Sequence, residues 1–552
     1  MAGNTDSAHL DRRDFLRAAG AAAVAASALG ALPSSTPDAS AQVLPDGAPK
    51  ATRRNYRRRG RDCYRYRVSA AKMARKRNSP MVVPENNGEE AEFSDRRWSF
   101  SKALPHDTLG HVQPSAYSVL LAAVETGDPV TFEAIPIAGP TQLKNPQAGL
   151  AFDLQGPDSF GVSIRPAPRV DGPEHSAEMA ELYWMALARD VPFATWEADP
   201  TIAAACDDLS RFSDYRAPHV GGRVVPGTLF RGNTTGDVTG PFVSQFLLRD
   251  VPVGSLTISP RQVTALPGTD YLTAWDDWLA VQNGAARTSE PLDPTPRYIR
   301  SLRDLCRYVH VDQLYQAYVN ACLILLGLQA PIDPGLPPAN SRNQYGFVEF
   351  GPPHVLSLVA EVATRALKAV WAQKWFVHRR MRPEEFGGRV HNHLTGRFQY
   401  GINGELLASD VLPRIYDTYG SFLLPMAFPE GCPAHPAYAS GHATVAGACV
   451  TVLKAFFDEG WVLPDPVDAS PDGLSLVPWT GAPLTVGGEL DKVAANIATG
   501  RNAAGVHWRT DFVEGVLLGE RVAIGILEEQ KGCYNQDFTW TLTRFDGSVI
   551  QI

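Results

Sequence analysis

Apolar residues recur at three- and four-residue spacing over residues 115–125, 177–189 and 302–326, the period of helices that bury one face. The longest such stretch opens at Pro352-Pro353. There Val355, Val359, Val362, Ala366 and Val370 form one stripe, with Leu356, Ala363, Leu367 and Trp371 beside it. Pro383 is expected to stop this helix or force a turn. A further helix should begin at Gly441 and carry Val445, Ala448, Val452, Leu453 and Phe456. The next covers 490–498 and ends near Gly500, a residue suited to a left-handed cap. The last, 511–528, turns Val513, Val516, Leu517, Val522, Ile524 and Ile526 inward. Short pieces rich in Pro and Gly separate these segments, and the alternation of Thr541, Thr543 and Phe545 predicts a small hairpin within 538–552. No fixed-period repeat, Rossmann glycine pattern or P-loop is visible. The pattern predicts a mainly α fold, a helical bundle with minor short β-hairpins.

The first 110 residues read differently. Arg12-Arg13-Asp14-Phe15-Leu16 precedes an alanine-rich apolar run from Ala18 to Leu32, and Ala39-Ser40-Ala41 offers a small-residue cleavage site. Residues 1–41 therefore read as a twin-arginine signal, and the expected location is periplasmic or extracellular. That run is too short for a membrane span and no later stretch reaches 18 uninterrupted apolar residues, so a soluble mature protein is expected. Residues 42–110 are polar and basic, then rich in Asn and Glu, and suggest an extended arm. Residues 111–552 form the helical domain.

Composition narrows the function classes. With 552 residues, 44% hydrophobic and 20% charged, the chain can bury a large core. A formal net charge of −8 argues against a general nucleic-acid binder. Locally, residues 53–77 gather Arg53, Arg54, Arg57, Arg58, Arg59 and Arg61 with Tyr56, Tyr64 and Tyr66. They read as a solvated or subunit-packing segment, with an anion or nucleic-acid surface as the alternative. Seven cysteines show no CxxC or zinc-like clustering. Export would permit a disulfide or two, and the odd count leaves one thiol over, with Cys63 the accessible candidate for pairing between subunits.

Three segments carry the chemistry, all within residues 371–511. In the first, Lys374 precedes Arg382-Pro383 by eight positions, at a helix end where both cations can reach one point. The second, His435-Pro-Ala-Tyr-Ala-Ser440-Gly441-His442, is a small-residue turn before an apolar helix. It exposes backbone N–H groups toward an anion, with Gly441 permitting close approach and Ser440 adding a hydroxyl. In the third, Arg501 is followed by His507 and Asp511. Alone, each has a plain reading: a solvated basic helix end, a serine cap, a surface histidine. Together, three cations, a hydroxyl, an amide nest and two histidines make a cage for an oxyanion.

The order Lys-x7-Arg-Pro, Ser-Gly-His, Arg-x5-His-x3-Asp resembles that of the vanadium-dependent haloperoxidases, which share these motifs and a helical-bundle fold with the type 2 phosphatidic acid phosphatases. The first motif has the algal bromoperoxidase spacing. The resemblance extends to Leu104-Pro-His-Asp, Leu229-Phe-Arg-Gly, Tyr308-Val-His-Val-Asp, Glu361-Val-Ala-Thr-Arg-Ala-Leu and Leu423-Leu-Pro-Met-Ala-Phe-Pro-Glu-Gly. It implies one vanadate per subunit, with Lys374, Arg382 and Arg501 neutralising its oxygens and Ser440 and the Gly441 amide donating to them. His507 would be the metal ligand and His442 the general base toward hydrogen peroxide. Lys374 would polarise the oxygen that the halide attacks, giving hypohalous acid for small organic acceptors. The family forms dimers or larger assemblies, so a homo-oligomer is expected.

The resemblance also places His435 where chloride-oxidising fungal relatives carry phenylalanine, and Trp371 at a neighbouring aromatic position, so bromide and iodide are the expected halides. The alternative for His435 is an incidental loop histidine. Asp276 or Asp277 is a candidate carboxylate behind Arg501. Two other readings of the cage stand beside the peroxidase: an exported acid phosphatase with His507 as nucleophile, and an oxyanion-binding protein without turnover.

Overall fold

The computed structural model describes residues 50–77 and 83–552. The signal segment therefore lies outside the described residues. The chain divides into two units, Met1–Lys72 and Met73–Ile552.

Residues 42–110 were expected to be extended, but Lys50–Arg77 forms a 28-residue helix. Arg, Lys and Ala are strong helix formers, and these dominate the segment. Tyr56, Tyr64 and Cys63 on it are exposed. Later in the same stretch, Trp98, Phe100 and Leu104 enter the core, and buried Lys102 pairs with Glu384 at 2.9 Å.

In the second unit, helices dominate. Among the described residues the strands form four two-stranded antiparallel pairs, including the expected terminal hairpin, Thr541–Thr543 with Val549–Gln551. Seven helices frame the candidate site: α1 Leu302–Val311, α2 Gln316–Gly327, α3 Pro352–Ala372, α4 Pro383–Leu394, α5 Gly441–Phe456, α6 Val486–Ala503 and α7 Arg509–Lys531. No helix among the described residues is long and apolar enough to cross a membrane. Cys206, Cys306, Cys322, Cys432 and Cys449 are buried thiols outside any disulfide.

The boundaries correct the sequence reading in ways that matter for the site. Residues 302–326 were expected to be one helix but break into α1 and α2 at Asp312, whose backbone is extended (φ −67°, ψ 154°). Helix α3 ends at Ala372 and passes into a wider π-helical turn, Gln373–His378, that carries Lys374. Such turns occur often at functional sites, because the inserted residue re-aims the side chains around it. Arg379 then takes a left-handed conformation (φ 38°) and Pro383 opens α4 at its first position, so this proline starts a helix. Gly500 lies inside α6, packed on α1, where an added Cβ would stand 3.0 Å from the Leu305 carbonyl. Arg501 is thus held in a regular helix.

Helices α5 and α7 pack closely. A Cβ on Gly447 would meet the Val516 carbonyl at 2.0 Å, and one on Gly519 the Thr444 carbonyl at 2.0 Å. Backbone meets backbone there, with nothing flexible to yield. Gly519→Ala is expected to push the helices apart and destabilise the protein by about 1–3 kcal/mol, read from urea unfolding. Ser440 opens α5 and His507 precedes α7, so oxyanion binding should weaken in the same variant.

Candidate active site

The π-helical turn buries Lys374 completely, and Nζ donates to the carbonyls of Pro436 and Ala437 at 2.7 Å each. Arg382, also fully buried, caps α4 and donates to the carbonyls of His435 and Val506 at 2.8 and 2.6 Å. Arg501 reaches from α6 to the Val309 carbonyl at 2.8 Å, and its Nε has no partner. None of the three has a carboxylate in ion-pair contact among the described residues. Burial pushes Lys374 well below its ordinary range, with Arg382 adding to the effect, and pushes Arg501 down to about 10. Three buried cations without ion-pair partners are costly, since each has left water without a compensating charge. A bound anion removes that cost.

His507 faces the same point. Its Nδ1 lies 2.8 Å from Asp511 Oδ2, and its Nε2 3.1 Å from an Arg382 nitrogen. Asp511 also accepts from the Trp508 amide and from Arg380. The Nδ1 proton therefore points at Asp511, leaving the Nε2 lone pair toward the cage. Burial first, then Arg382 and Lys374, hold His507 well below the ordinary histidine range, so the ring is neutral and can act as a ligand.

Helix α5 supplies the opposite side. Ser440 is its N-cap, with the hydroxyl oxygen accepting from the Ala443 amide at 3.3 Å, and the first amides, those of Gly441 and His442, lie at the open end. A Cβ on Gly441 would stand 3.2 Å from the Trp371 ring, so glycine keeps this approach open. Trp371 is anchored by its indole N–H to the Lys144 carbonyl at 2.9 Å and packs on His435 with ring centroids 4.8 Å apart. His435 is buried, with its Nδ1 2.9 Å from an Arg382 nitrogen. Every residue that the sequence singled out for the cage thus converges here.

The sequence reading missed a carboxylate. His442 Nε2 lies 3.0 Å from Asp312 Oδ1, at the break between α1 and α2. Burial lowers His442 from its ordinary range, and Asp312 pushes it back up. The signal was an acid midway along an otherwise amphipathic helical stretch, within Tyr308-Val-His-Val-Asp312. Asp312 is also the carboxylate whose field acts on Arg501. Asp276 and Asp277 do not serve that role. They sit on the exposed face of the helix Trp275–Gln282, which turns Trp278 and Val281 inward, and Asp277 pairs with Arg287 at 3.3 Å.

The donor set suits vanadate: three cations lacking ion-pair partners, the unpartnered Arg501 Nε, a hydroxyl and amides at a helix start, and one neutral imidazole lone pair.

Comparison with known proteins gives the same direction. A family model described as the VCPO second helical-bundle domain matches residues 355–536. The vanadium-dependent bromoperoxidase of Corallina officinalis is 39% identical over 90% of this chain and 99% of the relative. That of Ascophyllum nodosum is 37% identical over 89% of this chain and 92% of the relative. Among solved structures, the homohexameric second vanadate-dependent bromoperoxidase of Ascophyllum nodosum matches with a TM-score of 0.85 and 30% identity, covering 90% of each chain.

Proposed function

This chain belongs to the vanadium-dependent bromoperoxidase family, and from that premise we propose that it binds one vanadate per subunit in the cage and oxidises bromide or iodide with hydrogen peroxide. The carrying observation is the set of three buried cations around the Nε2 side of His507, whose Nδ1 is held by Asp511. Bound vanadate would supply Lewis-acid activation of peroxide without a change of oxidation state.

The chain's own residues have distinct tasks. Lys374, Arg382 and Arg501 hold the anion's charge, and Ser440 with the Gly441 amide fixes its orientation. His507 would be the protein ligand to the metal. His442, neutral and backed by Asp312, takes the proton that peroxide must lose. Lys374, in addition, would polarise an oxygen of the bound group, the chemistry that halide oxidation needs. Trp371 and His435 wall the pocket on the side of Lys144. The product is hypohalous acid, which halogenates small organic acceptors.

The deciding experiment pairs two assays on purified protein: bromide-dependent halogenation of an activated ring with added vanadate, and p-nitrophenyl phosphate hydrolysis without it. Halogenation that requires vanadate, bromide and peroxide is expected. Phosphate-ester hydrolysis without halogenation would overturn the reading in favour of a phosphatase. Because phosphate would use the same three cations, millimolar phosphate should block reconstitution of metal-free protein, and prior vanadate should protect. Vanadate uptake indifferent to phosphate would contradict a shared cage.

Halide choice rests on His435. A neutral imidazole tied to Arg382 presents a polar wall and can donate to an oxygen of the bound anion. Phenylalanine would leave a dry wall and a freer Arg382. We expect weak chloride oxidation in the wild type and a higher chloride-to-bromide ratio in His435→Phe, measured by steady-state kinetics at matched pH. An unchanged ratio would remove His435 from halide selection.

The twin-arginine reading of residues 1–41 supports export to the periplasm or beyond. The likeness to a homohexamer supports a homo-oligomer, and the basic helix Lys50–Arg77, with Tyr56, Cys63 and Tyr64 exposed on it, is the segment we assign to subunit packing. The balance of −8 for the whole chain supports an absence of nucleic-acid partners.

A further inference from the structure

Behind His507 runs a buried chain of contacts that touches none of the cage cations. Asp511 accepts from Arg380 at 3.0 Å through the oxygen that does not face His507. Arg380 in turn donates to Glu178 at 2.8 Å, and Glu178 also accepts from the backbone and hydroxyl of Thr510. The Arg380 guanidinium lies over the Trp508 ring, 4.9 Å from its centroid, and beside His175 at 3.2 Å. Glu178, Arg380 and Asp511 are all nearly inaccessible. Glu178 comes from the helix Pro173–Ala188, so a remote element fixes the far end.

We propose that Arg380 and Glu178 are positioning residues that aim the His507 lone pair at the metal. The last torsion of a histidine is soft, so the ring needs a fixed partner to hold one direction. Asp511 is that partner, yet its carboxylate would itself turn if the second oxygen were free. Arg380 holds that oxygen, and Glu178 with Trp508 holds Arg380. Outer contacts of this kind orient ligating histidines in metal sites generally.

The inference rests on the vanadate reading and separates from it by the choice of anion. Vanadate binding uses the cations and also the His507 lone pair, whereas phosphate binding uses the cations alone. Metal-free full-length protein would be dialysed to equilibrium against vanadate, and separately against phosphate. The variants are Glu178→Gln, Arg380→Lys and the double variant Arg380→Gln/Glu178→Gln, which leaves no lone buried charge between the two. Vanadate affinity is expected to fall by roughly 10–100-fold with phosphate affinity little changed, and Arg380→Lys should recover part of the loss. Equal loss of both anions in a variant with intact helical circular dichroism would mean a merely structural role and overturn the proposal. Unchanged vanadate affinity would overturn it too. Wild-type protein that binds phosphate but takes up no vanadate would instead fail the functional reading on which it stands.

Discussion

His507→Ala is expected to lose bromide oxidation by roughly 10³-fold or more, as removal of one member of a constellation that acts as a unit does. The argument is that His507 turns its Nε2 lone pair into the cage, where it accepts from Arg382 in this structure. Its Nδ1 is committed to Asp511, and burial with Arg382 and Lys374 keeps the ring neutral. His435 and His442 have other partners: neither has a carboxylate behind Nδ1 as His507 has in Asp511, and His442 is held through Nε2 by Asp312. The three cations survive the substitution, so the variant should still bind phosphate. The fold should survive as well, since Asp511 remains held by Arg380 and the Trp508 amide. The measurement is steady-state bromide turnover beside the vanadium content of the dialysed protein. Near-wild-type turnover with stoichiometric vanadium would rule out His507 as the metal ligand.

Much of this site was legible in the sequence because its parts are local. Lys374 with Arg382, Ser440 with Gly441 and His442, and Arg501 with His507 and Asp511 each lie within a dozen residues, and each adjoins a helix announced by apolar periodicity. The bundle core was legible for the same reason: α3, α5 and α7 carry stripes that only a helical period explains. What escaped was set by tertiary contact. The break at Asp312 has no proline or glycine to mark it; the acid leaves the helix for His442, a residue 130 positions away. Gly500 looks like a terminator because glycine usually is one near a predicted helix end, yet here it makes room for α1 against α6 in the folded chain. The candidacy of Asp276 or Asp277 for Arg501 rests on the spacing of a remote segment, which does not tell where that segment points, and the helix Trp275–Gln282 turns Trp278 inward and those acids outward.

Asp312→Asn should be the second severe variant, with a signature different from that of His507→Ala. Asp312 fixes the His442 ring through Nε2 at 3.0 Å and favours the imidazolium that forms when His442 takes a proton from peroxide. Asparagine keeps the size but removes the charge, and its amide can present a donor where the carboxylate accepted. Turnover should drop by about 10²-fold or more, the scale of a general base that has lost its orientation. Vanadium content should stay near stoichiometric, because Lys374, Arg382, Arg501 and His507 all remain, and removing the Asp312 charge takes away an anion that competes for the field of Arg501. The pH dependence adds a sign. A base works while unprotonated, so activity falls on the acid side as pH drops through the His442 pKa. Burial already lowers that pKa and Asp312 pushes it up. Removing the carboxylate takes away the upward push, so the acid limb of kcat/KM should move to lower pH, the direction opposite to a loss of general acidity. Bromide kinetics across pH, read against vanadium content, decide it. An acid limb that stays in place, with turnover near that of the wild type, would show that Asp312 does not govern His442.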